Sequence, residues 1–372
     1  MQAITTFVSF PLVASTVLKH RRQVILSAPA ENQSGTGSNS APPTPRDEPC
    51  QFNSCPAGSP AEGSDPHDGS FACATPVDYL LSSNCPSSTQ LRQFIPVRCS
   101  FCSYAQQFTC ICVLRVDSVR YAINTLAPSF WNGMKPEFVI SGPNVGSTYQ
   151  NHPPPPSVPL MCTSDNLGAV IQHSGTVYDP TRYYCPSFAY TFPNSGAACE
   201  ASLSGIPSAA FSGASGAQVS YTTLETDPNS SASRAARLYA KLTEKVLRRF
   251  LAQTGPEFPV GVSLNINYPA TTDCPSVSDF HFVLTRLLED SSATDVETCG
   301  TNHLPDERSV VVGGGCFASI SAFNASSKVD VSASVQKVAL ERLRGILTCW
   351  PDADLDTRNA HGQDLDNRMN AF

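Results

Sequence analysis

Serine, asparagine and glycine residues follow three short apolar runs in this chain of 372 residues. The stretches are "VILSAPAENQSGTGS" at 24–38, "FVISGPNVGS" at 138–147 and "SAAFSG" at 208–213. Hydroxyl and amide groups form hydrogen bonds with anions, and glycine lets the backbone approach a ligand closely. We therefore predict that these three loops together form a pocket for an anionic group.

A parallel sheet would bring the three loops to one edge. Residues 24–27 form a short segment that begins with the apolar Val24, Ile25 and Leu26, which predicts a strand of a parallel sheet. Residues 260–269 alternate Val262, Leu264 and Ile266 with polar residues, which predicts another strand. Such strands alternate with helical segments along the chain, which favours an α/β fold with a doubly wound, mostly parallel sheet. Ligands bind such sheets beyond the carboxyl ends of the strands, where we expect the loops to lie.

Three segments have the spacing of helices. We predict that residues 118–130 form a helix that stops at Pro128, and that residues 329–350 form one that is capped near Asp330. Residues 231–252 have the clearest pattern. Their apolar stripe predicts packing against the core, and their Arg/Lys face predicts contact with solvent.

The composition argues against two kinds of partner. The net charge is −7, charged residues make up 15% of the chain, and no basic stripe is present, so we predict no binding of nucleic acid. The apolar fraction of 41% is sufficient for a sizeable core. No run of about 18 apolar residues is present, so we predict no membrane span.

The chain has 15 cysteines, an odd number that leaves at least one without an internal partner. Dispersed cysteines favour an oxidising compartment, and N-x-S sequons at Asn32, Asn229 and Asn324 permit glycosylation. We therefore predict an extracellular protein, although residues 1–20 make a poor signal peptide because they lack a basic start.

Two interpretations of the cysteines remain open. Cys99 and Cys102 have the C-x-x-C spacing of zinc ligands, but Cys110 and Cys112 are spaced as C-x-C and no histidine is near. An even set of six suggests disulfides whose pairing the sequence does not define. The six are Cys50, Cys55, Cys274, Cys299, Cys316 and Cys349.

Several motifs, in the expected order, resemble the survival-protein SurE family of phosphatases and 5′-nucleotidases, particularly its fungal branch. They are "VILSAPAENQSGTGS", "VRYAINTLAPSF", "FVISGPNVGS", "NLGAVIQHSGTV", "GAACEASLSGIPSAAFSG", "VSYTTLE" and "GVSLNINYP", with "DVETCG" and "CFASISAFNAS" as the fungal features. The resemblance covers about two-thirds of the chain, and linked motifs are more specific than single ones. It implies a three-layer α/β/α fold, hydrolysis of phosphomonoesters such as a nucleoside monophosphate, and a homodimer.

The resemblance also implies roles for single residues. The family holds a divalent cation, Mg²⁺ or Mn²⁺, with two adjacent aspartates, a serine and an asparagine. The serine corresponds to Ser34 and the asparagine to Asn144, and their oxygens are of the type that these cations prefer. The implied phosphate-binding residues are Asn166, Ser174, Gly175 and Thr176.

The chain departs from the family in one chemically important respect. It has no Asn-Asp-Asp-Gly segment and no Asp-Asp pair, so the catalytic residues are not assigned and we expect the sheet to be truncated at its first strand. Two neutral oxygens do not offset the dehydration of a divalent cation. The alternatives are therefore a non-catalytic relative that binds phosphate or nucleotide, or the product of a faulty gene model.

Three aperiodic segments interrupt the resemblance, at 67–115, 149–165 and 178–195. We predict residues 1–23 as an N-terminus outside the family, 24–350 as the interrupted SurE-like domain, and the acidic residues 351–372 as a disordered tail. The interruptions separate motifs that are nearly continuous in the family, so we interpret them as translated introns or misplaced exon boundaries.

We expect the mature transcript to lack the coding sequence of the three interruptions. Sequencing of the transcript across these joins tests the interpretation, and an in-frame Asn-Asp-Asp-Gly exon should precede codon 24 in the genomic DNA. Contiguous coding sequence through all three segments would show the interpretation to be wrong.

Overall fold

The computed structural model describes residues 26–29, 47–49, 57–58, 108–111, 115–145, 196–217, 219, 223–252 and 257–351. The strands in these ranges are β1 (Leu26–Pro29), β2 (Phe108–Ile111), β3 (Val139–Val145), β4 (Ser208–Gly213), β5 (Val262–Tyr268), β6 (His281–Thr285) and β7 (Phe317–Asn324). The α-helices are α1 (Arg115–Tyr121), α2 (Ala127–Phe130), α3 (Ala197–Leu203), α4 (Thr223–Thr226), α5 (Ser231–Ala252), α6 (Glu307–Val312) and α7 (Ala333–Leu343).

A five-stranded sheet in the order β3-β4-β5-β7-β6 forms the centre of the fold. β3, β4 and β5 are parallel neighbours, β7 is antiparallel to β5, and β6 is parallel to β7. The prediction of an α/β fold with a mostly parallel sheet is confirmed. The carboxyl ends of β3, β4 and β5 therefore lie along one edge.

One face of the sheet is apolar and packs against α5 and α7. Leu264 and Ile266 of β5 lie in one buried cluster with Leu242 and Phe250 of α5 and Leu343 of α7. The alternation of apolar residues along β5 gives this face its character, because successive side chains of a strand point to opposite sides. The helix predicted over 231–252 is confirmed residue for residue.

The solvent side of α5 is strongly basic, as the sequence indicated. The helix carries four arginines and two lysines against one glutamate. Arg248 pairs with Glu244 at 2.5 Å, and Lys245 Nζ lies 5.1 Å from the ring centre of Phe282. The helix thus joins core packing on one side to a charged surface on the other.

The opposite face of the sheet is covered by α1, α2 and α3. Val139 of β3 packs there with Ile123, Trp131, Ala197 and Ala201. Since neighbouring Ile140 faces the cluster that contains α5, β3 divides its side chains between two helical layers. The sheet therefore lies between helices on both faces, as a three-layer α/β/α fold requires.

Pro128 does not end a helix, in contrast to the prediction for residues 118–130. A π-helical turn, Ala122–Leu126, connects α1 to α2, and Pro128 lies in the first turn of α2. Proline is tolerated there because the first amide groups of a helix have no partner within it.

β1 and β2 form a parallel pair of their own, in which Leu26 lies opposite Phe108. The hydroxyl of Ser27 donates to the carbonyl of Ser118 at 2.8 Å, which connects β1 to α1. β2 lies inside the segment 67–115, where we expected no regular element. A strand of four residues is too short to show a periodicity in sequence, which explains the omission.

Asp330 does not cap the last helix. α7 begins at Ala333 after Ser332, and its bounds are shorter than the predicted 329–350. The carboxylate of Asp330 instead accepts from the amides of Leu287 at 2.7 Å and Leu288 at 3.2 Å. It thereby holds the end of β6, where it also lies 3.5 Å from Arg286.

Two disulfides join segments of the second half of the chain, Cys274–Cys316 and Cys299–Cys349. Four of the six cysteines expected to form disulfides therefore do so, while Cys50 and Cys55 lie outside the described residues. Cys199 of α3 is a free, buried thiol.

Among the described residues, no helix is long and apolar enough to cross a membrane.

We expect Gly213→Ala to destabilise the fold, because a Cβ atom there would lie 2.3 Å from Tyr239 Cε2. Overpacking of a rigid interior costs about 1–3 kcal/mol, which thermal and denaturant unfolding would detect. The same substitution in a Tyr239→Ala background is the control, since the obstructing ring is then absent. An equal cost in both backgrounds would contradict the steric explanation.

Candidate functional site

The carboxyl ends of the parallel strands bring three polar residues into one row. Asn144 of β3 lies opposite Ser212 of β4, and Ser212 lies opposite Asn267 of β5. This is the edge at which open α/β sheets bind their ligands. We therefore call the row Asn144–Ser212–Asn267 the carboxyl-edge row.

A bulge in β3 sets the position of Asn144. Ser141 lies opposite Ala210, but the next pair is Asn144 with Ser212, so β3 has one residue more than β4 between these pairs. Gly142 has φ of +100°, a conformation that residues with a Cβ atom rarely adopt. Such bulges change which residue stands opposite a partner and are common next to active sites.

Ser212 and Asn267 are joined by hydrogen bonds that continue to a buried carboxylate. The Ser212 hydroxyl donates to Asn267 Oδ1 at 2.5 Å, and Asn267 Nδ2 donates to Oε2 of Glu307 at 3.0 Å. Ser212 is 7% exposed and Asn267 is 2% exposed. Hydrogen bonds shielded from water in this way hold side chains firmly in one orientation.

Glu307 lies at the centre of this network. It is the first residue of α6, is fully buried, and accepts from Asn265 Nδ2 at 2.8 Å on each of its two oxygens. Burial raises the pKa of Glu307 to about 8; hydrogen bonds from Ser321 and Asn265 oppose the rise, and the charges of Asp330 and Asp306 add to it.

Two further polar atoms on this face lack a partner among the described residues. They are Oδ1 of Asn265 and the hydroxyl of Ser319, and both residues are fully buried. Asn265 lies opposite Ser321 and Asn267 lies opposite Ser319, so the atoms belong to adjacent rows of the same face. The face around Glu307 thus has spare hydrogen-bonding capacity.

The turn after β4 is held by Tyr239 of α5. The phenolic oxygen accepts from the amide of Ser215 at 2.9 Å and donates to the carbonyl of Pro269 at 2.9 Å. The Ser215 hydroxyl in turn accepts from the amide of Thr271 at 2.8 Å. Because Gly213 leaves room for the Tyr239 ring, the chain after β4 and the chain after β5 are fixed together.

The structure places one of the six predicted site residues. Asn144 lies in the carboxyl-edge row, as its position in the sequence suggested. The remaining five lie outside the described residues, and their roles stay predictions; they are Ser34, Asn166, Ser174, Gly175 and Thr176. The cysteines considered as zinc ligands, Cys99 and Cys102, also lie outside them.

The sequence contained two signals of the network that we did not interpret. Asn265 and Asn267 alternate with apolar residues in a strand that is buried along its whole length, where polar residues require partners. Asp306 precedes Glu307 as the N-cap of α6 and accepts from the Ser309 amide at 3.0 Å. The hydrogen bond between Asn267 and Glu307 joins residues about 40 positions apart, and no local sequence pattern predicts such a contact.

The described residues do not fit a divalent cation by themselves. Within them, no three histidine, cysteine, aspartate or glutamate side chains are grouped so as to hold a metal. Glu307 is the carboxylate joined to the carboxyl-edge row, and its oxygens already accept hydrogen bonds from Asn265 and Asn267. Ser212 and Asn267 add only neutral oxygens, which do not replace carboxylate charge.

Comparison with known proteins supports the family resemblance over part of the chain. Residues 193–294 match the family model described as survival protein SurE. This segment contains α3, β4, α4, α5, β5 and β6, and it therefore includes Ser212 and Asn267. Phosphatase and nucleotidase activity is the general function of that family.

The crystal structure of the SurE protein from Aquifex aeolicus is similar at 14% sequence identity, with a TM-score of 0.38. The similarity covers 87% of this chain and 92% of that one. A likeness at this level says nothing about chemistry. No protein with a curated description matches the chain.

We expect Glu307→Gln to change how stability depends on pH. Because the pKa of Glu307 is raised in the folded protein from 4.5 to about 8, its contribution to folding is fully present below 4.5 and is lost as pH rises to about 8. The variant should lack this loss, so its free energy of unfolding should fall less than that of the wild type across the window.

Denaturant unfolding at several pH values between about 5 and 8 measures the difference. Glu244→Gln, which removes a carboxylate of the surface pair with Arg248, is the matched control and should follow the wild type. Parallel pH profiles for the wild type and Glu307→Gln would contradict a raised pKa.

Proposed function

We propose that the chain is a phosphomonoester phosphatase or 5′-nucleotidase of the SurE type, acting on a small phosphorylated substrate such as a nucleoside monophosphate. One observation carries the proposal. The segment that matches the SurE family, residues 193–294, supplies two of the three residues in the carboxyl-edge row. The third, Asn144, is a residue to which the family resemblance assigns a ligand role.

The proposed binding groups for phosphate are uncharged. Asn166 and the segment Ser174–Thr176 would donate hydrogen bonds to the phosphate oxygens, and Gly175 would allow the backbone to approach. Asn144 and Ser34 would supply neutral oxygens to a Mg²⁺ or Mn²⁺ ion. Since the described residues lack the carboxylates that such an ion requires, we derive no hydrolytic step from this geometry.

A second candidate function is binding of phosphate or nucleotide without hydrolysis. The sequence itself favours it, because the chain contains no Asp-Asp pair to hold the cation of the family. A faulty gene model would give the same sequence. In that case the restored protein would be the enzyme, and the present chain would bind its ligand without turnover.

Three finer features belong to the proposal. We assign the protein to the fungal branch of the family on its "DVETCG" and "CFASISAFNAS" motifs, and we infer a homodimer from the same resemblance. An extracellular location is supported by the disulfides Cys274–Cys316 and Cys299–Cys349, since such bonds persist in oxidising surroundings.

A phosphatase assay with Mg²⁺ or Mn²⁺, paired with calorimetry using a nucleoside monophosphate without metal, tests both functions. We expect saturable binding and little turnover in this chain. In a parallel titration with Mg²⁺ added, Asn144→Ala should weaken nucleotide binding by about tenfold, because it removes an oxygen assigned to the cation.

The control for this substitution is Asn229→Ala, which removes an exposed amide far along the chain from β3. It should bind the nucleotide like the wild type. Absence of both binding and turnover in a cooperatively folded wild-type protein would show both candidate functions to be wrong.

A further inference from the structure

We propose that Glu307 is a positioning residue for the carboxyl-edge row. It holds the side-chain amide of Asn267, and through it the hydroxyl of Ser212, in the orientation that the site beside Asn144 requires. The inference rests on the proposed function for the role of the row, and on the contacts of Glu307 for the positioning itself.

The first step of the argument is the direction of each hydrogen bond. Asn267 Nδ2 donates to Glu307, so Asn267 Oδ1 must face the other way, where it accepts from the Ser212 hydroxyl. Glu307 Oε2 is an acceptor at this position, so it favours the orientation in which the Asn267 amide nitrogen faces it. One group at α6 therefore orients the Asn267 amide, whose oxygen is an acceptor for the Ser212 hydroxyl.

The second step is the exclusion of water from these contacts. Asn267 and Glu307 are 2% and 0% exposed, so bulk water does not offer an alternative to these contacts. Glu307 faces β5 through Asn265 and Asn267, and it faces β7 through Ser321. The charged neighbours that act on it are Asp306 of its own helix and Asp330 before α7.

The third step concerns which side chains at position 307 could keep the hydrogen bond to Asn267. Oε2 accepts from both Asn265 and Asn267, whereas Asn267 makes no hydrogen bond to Oε1. Glutamine could place its oxygen at the Oε2 position and its amide nitrogen at the Oε1 position. Asn265 could then turn its unpartnered Oδ1 toward that nitrogen, so the contact with Asn267 would survive.

Methionine, by contrast, fills the same volume but accepts no hydrogen bond of useful strength. We therefore expect Glu307→Met to weaken nucleoside monophosphate binding by about tenfold, and Glu307→Gln to bind within about threefold of the wild type. Where turnover is measurable, the methionine variant should lower kcat more than it raises KM.

A merely structural role for Glu307 makes a different prediction. Val310→Ala removes packing from the same helix at a fully buried position and does not touch the network. It is the matched control: it should lower the melting temperature while leaving nucleotide affinity unchanged. Equal losses of affinity in Glu307→Met and Val310→Ala would overturn the proposal.

A second readout does not depend on function. With asparagine labelled by ¹⁵N, the side-chain NH₂ signals of Asn267, assigned by their loss in Asn267→Asp, report its hydrogen bonding. We expect slow exchange of these protons in the wild type and in Glu307→Gln, and fast exchange in Glu307→Met. Unchanged exchange in the methionine variant would overturn the proposal whatever the affinities.

Ser212→Ala tests the far end of the chain of hydrogen bonds should the methionine variant fail to fold. It should reproduce the affinity loss while leaving the Asn267 signals protected, since the Glu307 contact remains. Wild-type affinity in Ser212→Ala would overturn the proposal. A wild type that binds no nucleotide yet shows Glu307-dependent protection contradicts the proposed function alone, so the two failures are distinguishable.

Discussion

The need to satisfy a fully buried carboxylate organises the part of one sheet face that β5 and β7 form. Glu307 lies where no water reaches it, and a charge or a carboxylic acid in such a place must find donors or acceptors in the protein. Asn265, Asn267 and Ser321 provide them from two adjacent strands. The face that bears these residues is consequently polar, while the other face of the same strands is apolar and packs under α5.

This division explains why the fold was predictable and the network was not. β5 and α5 follow from local periodicity, and the structure has them where the sequence placed them. The prediction that residues 24–27 join the same sheet was wrong, because β1 pairs with β2 in a sheet of two strands. Pro128 and Asp330 were misinterpreted because each has two common uses, and only the surrounding structure selects one. β2 escaped notice because four residues do not form a pattern.

The candidate site was partly accessible from sequence for the same reason. Asn144 could be placed because it lies at the carboxyl end of a strand whose neighbours are also recognisable. Glu307 belongs to the site through contacts with residues about 40 positions away, in an antiparallel part of the sheet that the parallel prediction did not describe. The match of residues 193–294 to SurE ends before Glu307, so family comparison does not reveal it either.

The positive charge on the solvent side of α5 affects how the whole molecule orients near a charged surface. A chain with pI near 5.5 that presents a helix with four arginines and two lysines has an uneven potential over its surface. The protein should therefore orient this helix toward the cathode in an electric field and toward the anionic groups of a resin. A cation exchanger could thus retain the protein at a pH where its net charge is negative.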